Sequence, residues 1–199
     1  MPDFSAEYRR LHVFAGLWVG DDVLHPASGG GEAGAATTDV VARVAVDGRV
    51  VAINEVRERH GQVSAAHLVL GYDAHTGFVT LHGVGDEPWS DGNPARGTWD
   101  GDTLTLSGGT GAGRFQHQYA FRGPDHYERR VSHWEEGHGW RPRLTGTYHR
   151  RTPDHLERYR RQADAIARTY IQHGVAPETA EREAWAVVAS LHRRGVPPS

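Results

Sequence analysis

Residues 95–106 read Ala-Arg-Gly-Thr-Trp-Asp-Gly-Asp-Thr-Leu-Thr-Leu, and this stretch decides the fold. Two short strand-like runs meet at Asp100-Gly101, and an Asp-Gly pair between such runs is a strong signal of a β-hairpin. The same order of strand, Gly or Asp turn, and strand recurs from residue 14 to residue 150. It predicts ten strands, at 17–25, 40–46, 49–59, 62–72, 78–84, two within 95–106, 114–122, 126–135 and 140–150. Many strands with short connections predict a closed or nearly closed antiparallel barrel, because closure removes exposed strand edges.

Three segments fall outside this pattern. Residues 5–15 are predicted to form a short amphipathic helix, capped by Ser5 and with Tyr8, Leu11 and Phe14 on one side. Residues 27–37 are rich in Gly and Ala, have little to bury, and are predicted to be a mobile loop.

The third segment begins at Thr152, a predicted N-cap that is followed by Pro153 at the first helical position. Two helices with apolar stripes follow, separated by Gly174. The stripes are Leu156, Tyr159, Ala163, Ile166 and Tyr170 in the first helix, and Ala184, Trp185, Val188 and Leu191 in the second. The chain is therefore predicted to comprise a barrel at 1–151 and a C-terminal helical hairpin at 152–199. The hairpin must pack on the barrel or on a second copy of the chain.

The composition excludes several classes of function. The net charge is −3, which argues against nucleic acid and anionic membranes as partners. Cysteine is absent, so disulfides, thiolate metal sites and cysteine nucleophiles are excluded. All 22 basic residues are arginines, which excludes Schiff-base chemistry on a lysine. The N-terminal residues have no apolar signal core and no stretch is long enough to span a bilayer, so we expect a cytoplasmic protein.

Three motifs carry a resemblance to a known family. Gly16-Leu17-Trp18 looks like the Gly-x-Trp signature of lipocalin-like barrels. Together with residues 95–106 and with the run from Ser132 to Tyr148, it resembles the bacterial domain-of-unknown-function 1579 family over about residues 10–150. The resemblance implies a mainly β, lipocalin-like (calycin) barrel with no agreed activity.

A more distant similarity is to nitrobindin-like barrels, which bind haem. Residues 16–20 fit the opening strand of that family, and residues 141–144 look like its last-strand motif. Where the family has its proximal histidine this chain has Arg143, which cannot ligate iron. We therefore expect no haem and no other cofactor.

The predicted strand at 114–122 carries the strongest candidate site. Phe115, His117, Tyr119 and Phe121 alternate with polar residues, so the aromatic face is predicted to point inward and to line a ligand cavity. His117 and Tyr119 are candidates for orienting a ligand or for acid and base catalysis, against the alternative of satisfied groups in a packed core.

The next strand has two possible registers. The turn at 123–125 pairs Phe121 with either Glu128 or Arg129, and this decides whether Ser132 or His133 faces inward. His133 is therefore a further candidate.

Arginines on the last two predicted strands are candidates for binding an anionic group if they point inward. They are Arg129, Arg130, Arg141 and Arg143. The alternative for most of them is pairing with Glu128, Glu135 and Glu136 on the outer face. Arg143 or Arg150 is also predicted to stack on Trp18, as a late arginine does in lipocalin-like barrels.

Two further groups are weaker candidates. Trp89 and Trp140 are predicted near a barrel mouth, as a clamp for a flat hydrophobic ligand or as a plug. His67, His82, His117 and His133 lie within predicted strands, but they show no compact metal-binding spacing. Hydrogen-bonded or surface histidines are the simpler interpretation.

These observations favour a barrel that binds a small hydrophobic or amphipathic molecule. The alternative is a cofactor-free enzyme, of the cyclase or isomerase type, that uses the same cavity in a bacterial biosynthetic pathway. A haem- or metal-binding barrel ranks third. A homodimer formed through the C-terminal helices is slightly favoured over a lid, because soluble oligomers are most often two-fold homodimers.

Overall fold

The computed structural model describes residues 5–26, 33–85, 94–151 and 153–193. Within these ranges ten strands form a closed antiparallel barrel, in which each strand pairs with its neighbours in sequence and β1 closes against β10. The predicted fold class is confirmed. The strands are β1 (Gly16–Leu24), β2 (Gly34–Ala45), β3 (Val50–Arg59), β4 (Gln62–Asp73), β5 (Phe78–Gly85), β6 (Ala95–Asp100), β7 (Thr103–Gly108), β8 (Phe115–Phe121), β9 (His126–Glu135) and β10 (Gly139–Arg150).

A short helical segment precedes the barrel and covers the end at which β1 begins. It consists of α1 (Ser5–Leu11) and a 3₁₀ turn (His12–Phe14), as the apolar spacing predicted. The Phe14 ring packs edge-on against Tyr119 and Phe121, with centroids 5.1 and 4.9 Å apart. The Trp18 Nε1 donates a hydrogen bond of 2.8 Å to the Phe14 carbonyl oxygen. These contacts bury Phe14 in the aromatic part of the core.

Arg150 fastens this segment to the last strand. Its guanidinium carbon lies 4.1 Å from the centroid of the Trp18 ring, which confirms the predicted stacking on that tryptophan. The same guanidinium donates to the carbonyl oxygens of Ala15 and Val13, and its Nε donates to the carbonyl oxygen of Pro124.

One turn and one strand differ from the sequence-based expectations. Asp100 pairs with Thr103, so the two central residues of the β6–β7 turn are Gly101 and Asp102 rather than Asp100 and Gly101. Only the first central residue, Gly101, has a positive φ, of 52°, which is the requirement of a type II′ turn. Strand β2 begins at Gly34, four residues inside the predicted loop, because small residues there still pair with β1. Residues 27–32 of that loop lie outside the described residues.

The contacts divide the chain into two compact units, 1–150 and 151–199. The second unit contains α2 (Pro153–Gln172) and α3 (Pro177–Arg193), close to the predicted helices. Ala163 on α2 and Ala184 and Val188 on α3 are buried together, with Ile166 and Trp185 packed against them. No helix in the described ranges combines the length and apolar character needed to span a membrane.

Candidate functional site

Strand β8 points its aromatic face into the barrel, as its alternation predicted. Phe115, His117, Tyr119 and Phe121 are all buried, whereas the residues between them are half-exposed. The His117 and Tyr119 rings lie side by side, with centroids 6.3 Å apart and planes 26° apart. The strand therefore places two titratable side chains between aromatic neighbours.

The register of β9 brings Arg129 and His133 to the same face. Phe121 pairs with Tyr127, Tyr119 with Arg129, and Phe115 with His133. The pairing of Phe121 is therefore with neither of the two residues that the turn suggested. The observed partner, Tyr127, is two residues away from Arg129, and a register shift by an even number of residues keeps every side chain on the same face. His133 follows the inward face through its pairing with Phe115 and is half-buried, while Ser132 follows the other face and is buried there.

Arg129 forms a buried ion pair that crosses the barrel interior. Its Nη1 donates to both carboxylate oxygens of Glu55 on β3, at 2.7 and 2.8 Å. Burial disfavours the charge of Arg129, but the Glu55 carboxylate, together with Tyr119, Tyr148 and Asp22, outweighs burial and raises the pKa of Arg129 well above its ordinary value. The guanidinium carbon lies 5.6 Å from the centroid of the Tyr119 ring. Arg129 thus points inward as one of the two alternatives proposed, but its anionic partner belongs to the protein itself.

A second polar cluster surrounds Asp22 on β1. Its Oδ2 accepts hydrogen bonds from the Thr38 hydroxyl at 2.6 Å and from the Arg57 Nε at 3.2 Å. Its Oδ1 accepts a hydrogen bond of 2.8 Å from the Tyr148 hydroxyl. The Tyr148 ring stacks on Tyr127, with centroids 4.6 Å apart. This cluster joins four strands through one buried carboxylate.

Two glycines provide the room for the Asp22 cluster. A Cβ at Gly146 on β10 would lie 1.9 Å from the Asp22 Oδ1, and one at Gly20 on β1 would lie 2.4 Å from the Tyr148 ring. Any side chain at either position would displace Asp22 or Tyr148. The glycines therefore act as space for the polar contacts rather than as turn residues.

Burial sets the protonation states of the β8 pair. The pKa of His117 lies well below its ordinary value because burial disfavours the charged ring, and the nearby Arg129 adds to the effect. His117 is therefore neutral at pH 7. Burial also raises the pKa of the Tyr119 hydroxyl to about 12, so this hydroxyl keeps its proton. The pair presents one neutral imidazole and one hydrogen-bond donor.

Two buried donors in this region lack a partner among the described residues. They are the Tyr119 hydroxyl and the Arg129 Nε. A buried polar group without a partner is uncommon and costs free energy, on the order of 1–3 kcal/mol. An acceptor atom held between these two side chains would remove that cost.

The other predicted site residues lie elsewhere. His67 and His82 are exposed on β4 and β5, and His67 bonds to the Asn54 side chain. Trp140 pairs with Trp134 on the face of β9 opposite to Arg129, and their rings meet edge-on with centroids 5.5 Å apart. Trp89 lies outside the described residues.

These positions separate the four candidate metal-binding histidines, because His67 and His82 are exposed whereas His117 and His133 follow the inward face of the barrel. In the described part of the chain no three His, Asp or Glu side chains are grouped as metal ligands.

The remaining arginines of β9 and β10 do not join the site. Arg143 lies at an irregularity in the pairing of β10 and donates to the Glu135 carboxylate, one of the predicted partners. It also donates a hydrogen bond of 2.6 Å to the carbonyl oxygen of Pro26. Arg130 and Arg141 are exposed.

Sequence reasoning missed Asp22, Glu55 and Arg57, although a signal for them was present. Trp18 is inward on β1, and period-two alternation continues through Gly20 to Asp22. On β3, Val51 and Ile53 are inward, and the same alternation continues to Glu55 and Arg57. A charged residue interrupts the apolar pattern by which inward positions of a strand are recognised, so these three residues have no apolar signal of their own.

Comparisons with known proteins support the fold. No protein-family model matches the sequence, and no curated protein matches it significantly. Among solved structures, Rv2717c from M. tuberculosis gives a TM-score of 0.54 at 14% identity, over 72% of this chain and 96% of that one. The S-type phycobiliprotein lyase CPES from Guillardia theta gives 0.54 at 12% identity, over 76% of this chain and 99% of that one.

The barrel has a lipocalin-like fold. The resemblance read from Gly16-Leu17-Trp18 is confirmed at the level of fold. Identities this low carry no residue roles from one protein to another.

Proposed function

We propose that the barrel binds a small hydrophobic or amphipathic molecule in its interior. The observation that carries this proposal is the pair of buried donors without partners, the Tyr119 hydroxyl and the Arg129 Nε. Aromatic side chains of the core surround them, and ligand sites combine apolar walls with a few directed polar groups. Barrels of this size are wide enough for one small ligand. Phe115, His117, Tyr119, Phe121, Arg129 and His133 are the proposed contact residues.

The proposed ligand is organic rather than haem or a metal ion. Arg143, at the position where the nitrobindin resemblance has its iron ligand, is instead engaged by Glu135 and by Pro26. Native mass spectrometry of the purified protein tests this directly, and we expect an organic mass to be bound. A Soret band that appears with haemin and is lost in His117→Ala would reverse the ranking.

Exchange of His117 measures the contribution of the site. We expect His117→Ala to lower the affinity for the uncharged fluorescent probe N-phenyl-1-naphthylamine roughly tenfold, as loss of one well-placed polar contact does. His67→Ala is the matched control, because His67 is exposed on β4. Equal affinities in both variants and the unmodified protein would place the probe outside the barrel.

A second candidate function is catalysis in the same interior. Tyr119 keeps its proton while the neighbouring His117 is neutral, so the two side chains can serve as acid and base in a proton transfer. Incubation with the compound recovered from the protein distinguishes the two functions. Unchanged compound supports binding, and a rearranged product supports a cofactor-free cyclase or isomerase.

The proposed family, source and location of the protein rest on the sequence. We infer membership of the domain-of-unknown-function 1579 family from Gly16-Leu17-Trp18 and the run from Ser132 to Tyr148. A bacterial protein is our proposal from the lysine-free composition, and a cytoplasmic location is proposed with it.

A further inference from the structure

The buried charges of the barrel balance one another. Among the described residues the buried charged side chains are two acids, Asp22 and Glu55, and two guanidinium groups, Arg57 and Arg129. Arg57 faces Asp22, and Arg129 faces Glu55. His117 adds no charge because its ring is neutral at pH 7. A ligand carboxylate at this site would therefore lie near Glu55 without an additional buried cation, which is unfavourable in a low-dielectric interior.

The unpartnered atoms of the site are both donors. The Tyr119 hydroxyl keeps its proton because burial raises its pKa to about 12, and the Arg129 Nε carries a proton at every relevant pH. The two residues occupy opposite positions in the β8–β9 pairing. The Arg129 guanidinium carbon lies 5.6 Å from the centroid of the Tyr119 ring, so both donors lie in one part of the barrel interior.

We propose that the barrel selects an uncharged carbonyl compound, whose oxygen accepts hydrogen bonds from the Tyr119 hydroxyl and the Arg129 Nε. This inference rests on the proposed binding function and names the chemical class of the ligand. Phe14 covers the barrel on the Phe121 side of Tyr119. The apolar part of the ligand therefore extends in the other direction, along His117 and Phe115.

We expect a carboxylate group to lie in a different part of the barrel, away from Tyr119. Arg59 continues the inward alternation of β3 beyond Arg57, and His133 continues that of β9 beyond Val131. Both are half-buried, nearer the end of the barrel away from Phe14. A carboxylate held there does not depend on the Tyr119 hydroxyl, and this difference separates the two ligand classes in an experiment.

The test compares two fluorescent probes that share an aromatic body. One is the naphthyl ketone prodan, and the other is the matching dimethylamino-naphthoate. We expect the full-length protein to bind the ketone at least about tenfold more tightly than the carboxylate. In Tyr119→Phe, which removes only the hydroxyl, the ketone affinity falls roughly tenfold and the carboxylate affinity stays within about twofold.

Gln118→Ala is the matched control, because Gln118 lies on the outer face of β8 and bonds to Thr105. It leaves both affinities unchanged, and thermal melting of each variant confirms that the barrel is folded. Carboxylate binding that equals or exceeds ketone binding, or that falls equally in Tyr119→Phe, overturns the proposed ligand class while supporting a binding barrel. Failure of both these probes and of N-phenyl-1-naphthylamine to bind overturns the class and the binding function together.

Discussion

At the scale of single residues, Gly146 shows how the polar interior depends on a missing side chain. Its absent Cβ leaves the space that the Asp22 carboxylate occupies, and the backbone around it belongs to two paired strands. We expect Gly146→Ala to destabilise the protein by about 1–3 kcal/mol, the usual cost of overpacking a core. Urea unfolding measures the change. Gly113→Ala is the control, because a Cβ there meets nothing within 4 Å and should change stability by less than about 0.5 kcal/mol.

His117 makes folding sensitive to mild acid. Its pKa in the folded protein is lowered by burial, so the unfolded chain takes up a proton near pH 6.5 while the folded protein does not. The contribution of neutral His117 to the free energy of unfolding is fully present above pH 6.5. Below pH 6.5 the free energy of unfolding falls by at most about 1.4 kcal/mol per pH unit, until the pKa of His117 in the folded protein is reached. Urea unfolding at several pH values between 7.5 and 5 should show this decrease, and His117→Gln should flatten it. An equal decrease in the variant would assign the effect to other groups.

At the scale of elements, sequence alternation predicted the apolar faces well and the charged faces poorly. The inward face of β8 followed from Phe115, His117, Tyr119 and Phe121 alone. On β3 the alternation that begins with Val51 runs on into a carboxylate and a guanidinium. A charge is rarely buried unless it is paired, and its partner lies on a strand distant in sequence. Only the closed barrel brings Glu55 to Arg129, 74 positions along the chain.

Arg150 joins the N-terminal helical segment to β10, and this joint gives a test at the scale of elements. Arg150 stacks on Trp18 and bonds to the carbonyl oxygens of Val13 and Ala15 at once. Lysine keeps the charge but has neither the planar fork nor the stacking surface. We expect Arg150→Lys to lower the free energy of unfolding by about 1.5–3 kcal/mol, the range for a hydrogen bond to a charged group. Arg130→Lys on the exposed face of β9 should be close to neutral, and a matching loss there would contradict the role of the joint.

At the scale of the whole molecule, the C-terminal unit is too small to supply a core of its own. Among the residues of this unit whose burial the structure describes, the buried ones are small and apolar, namely Ala163, Ala180, Ala184 and Val188. Ile171 remains 44% exposed at the end of α2. Units this small rarely fold without a further stabilising partner. The ten strands lie between residues 16 and 150, so removal of this unit takes no strand from the barrel.

We therefore expect the C-terminal helices to hold two copies of the chain together. Light scattering of the full-length protein should give twice the mass of one chain, and truncation after Arg151 should give a monomer. Circular dichroism of the truncated protein checks that its sheet content is retained. A full-length monomer would reject the helices as a dimerisation arm. The helices are expected to form the interface because each large apolar side chain that is buried contributes roughly 1.5–3 kcal/mol. A dimer that survives truncation would instead place the interface on the barrels, because only the barrel surface remains in the truncated protein.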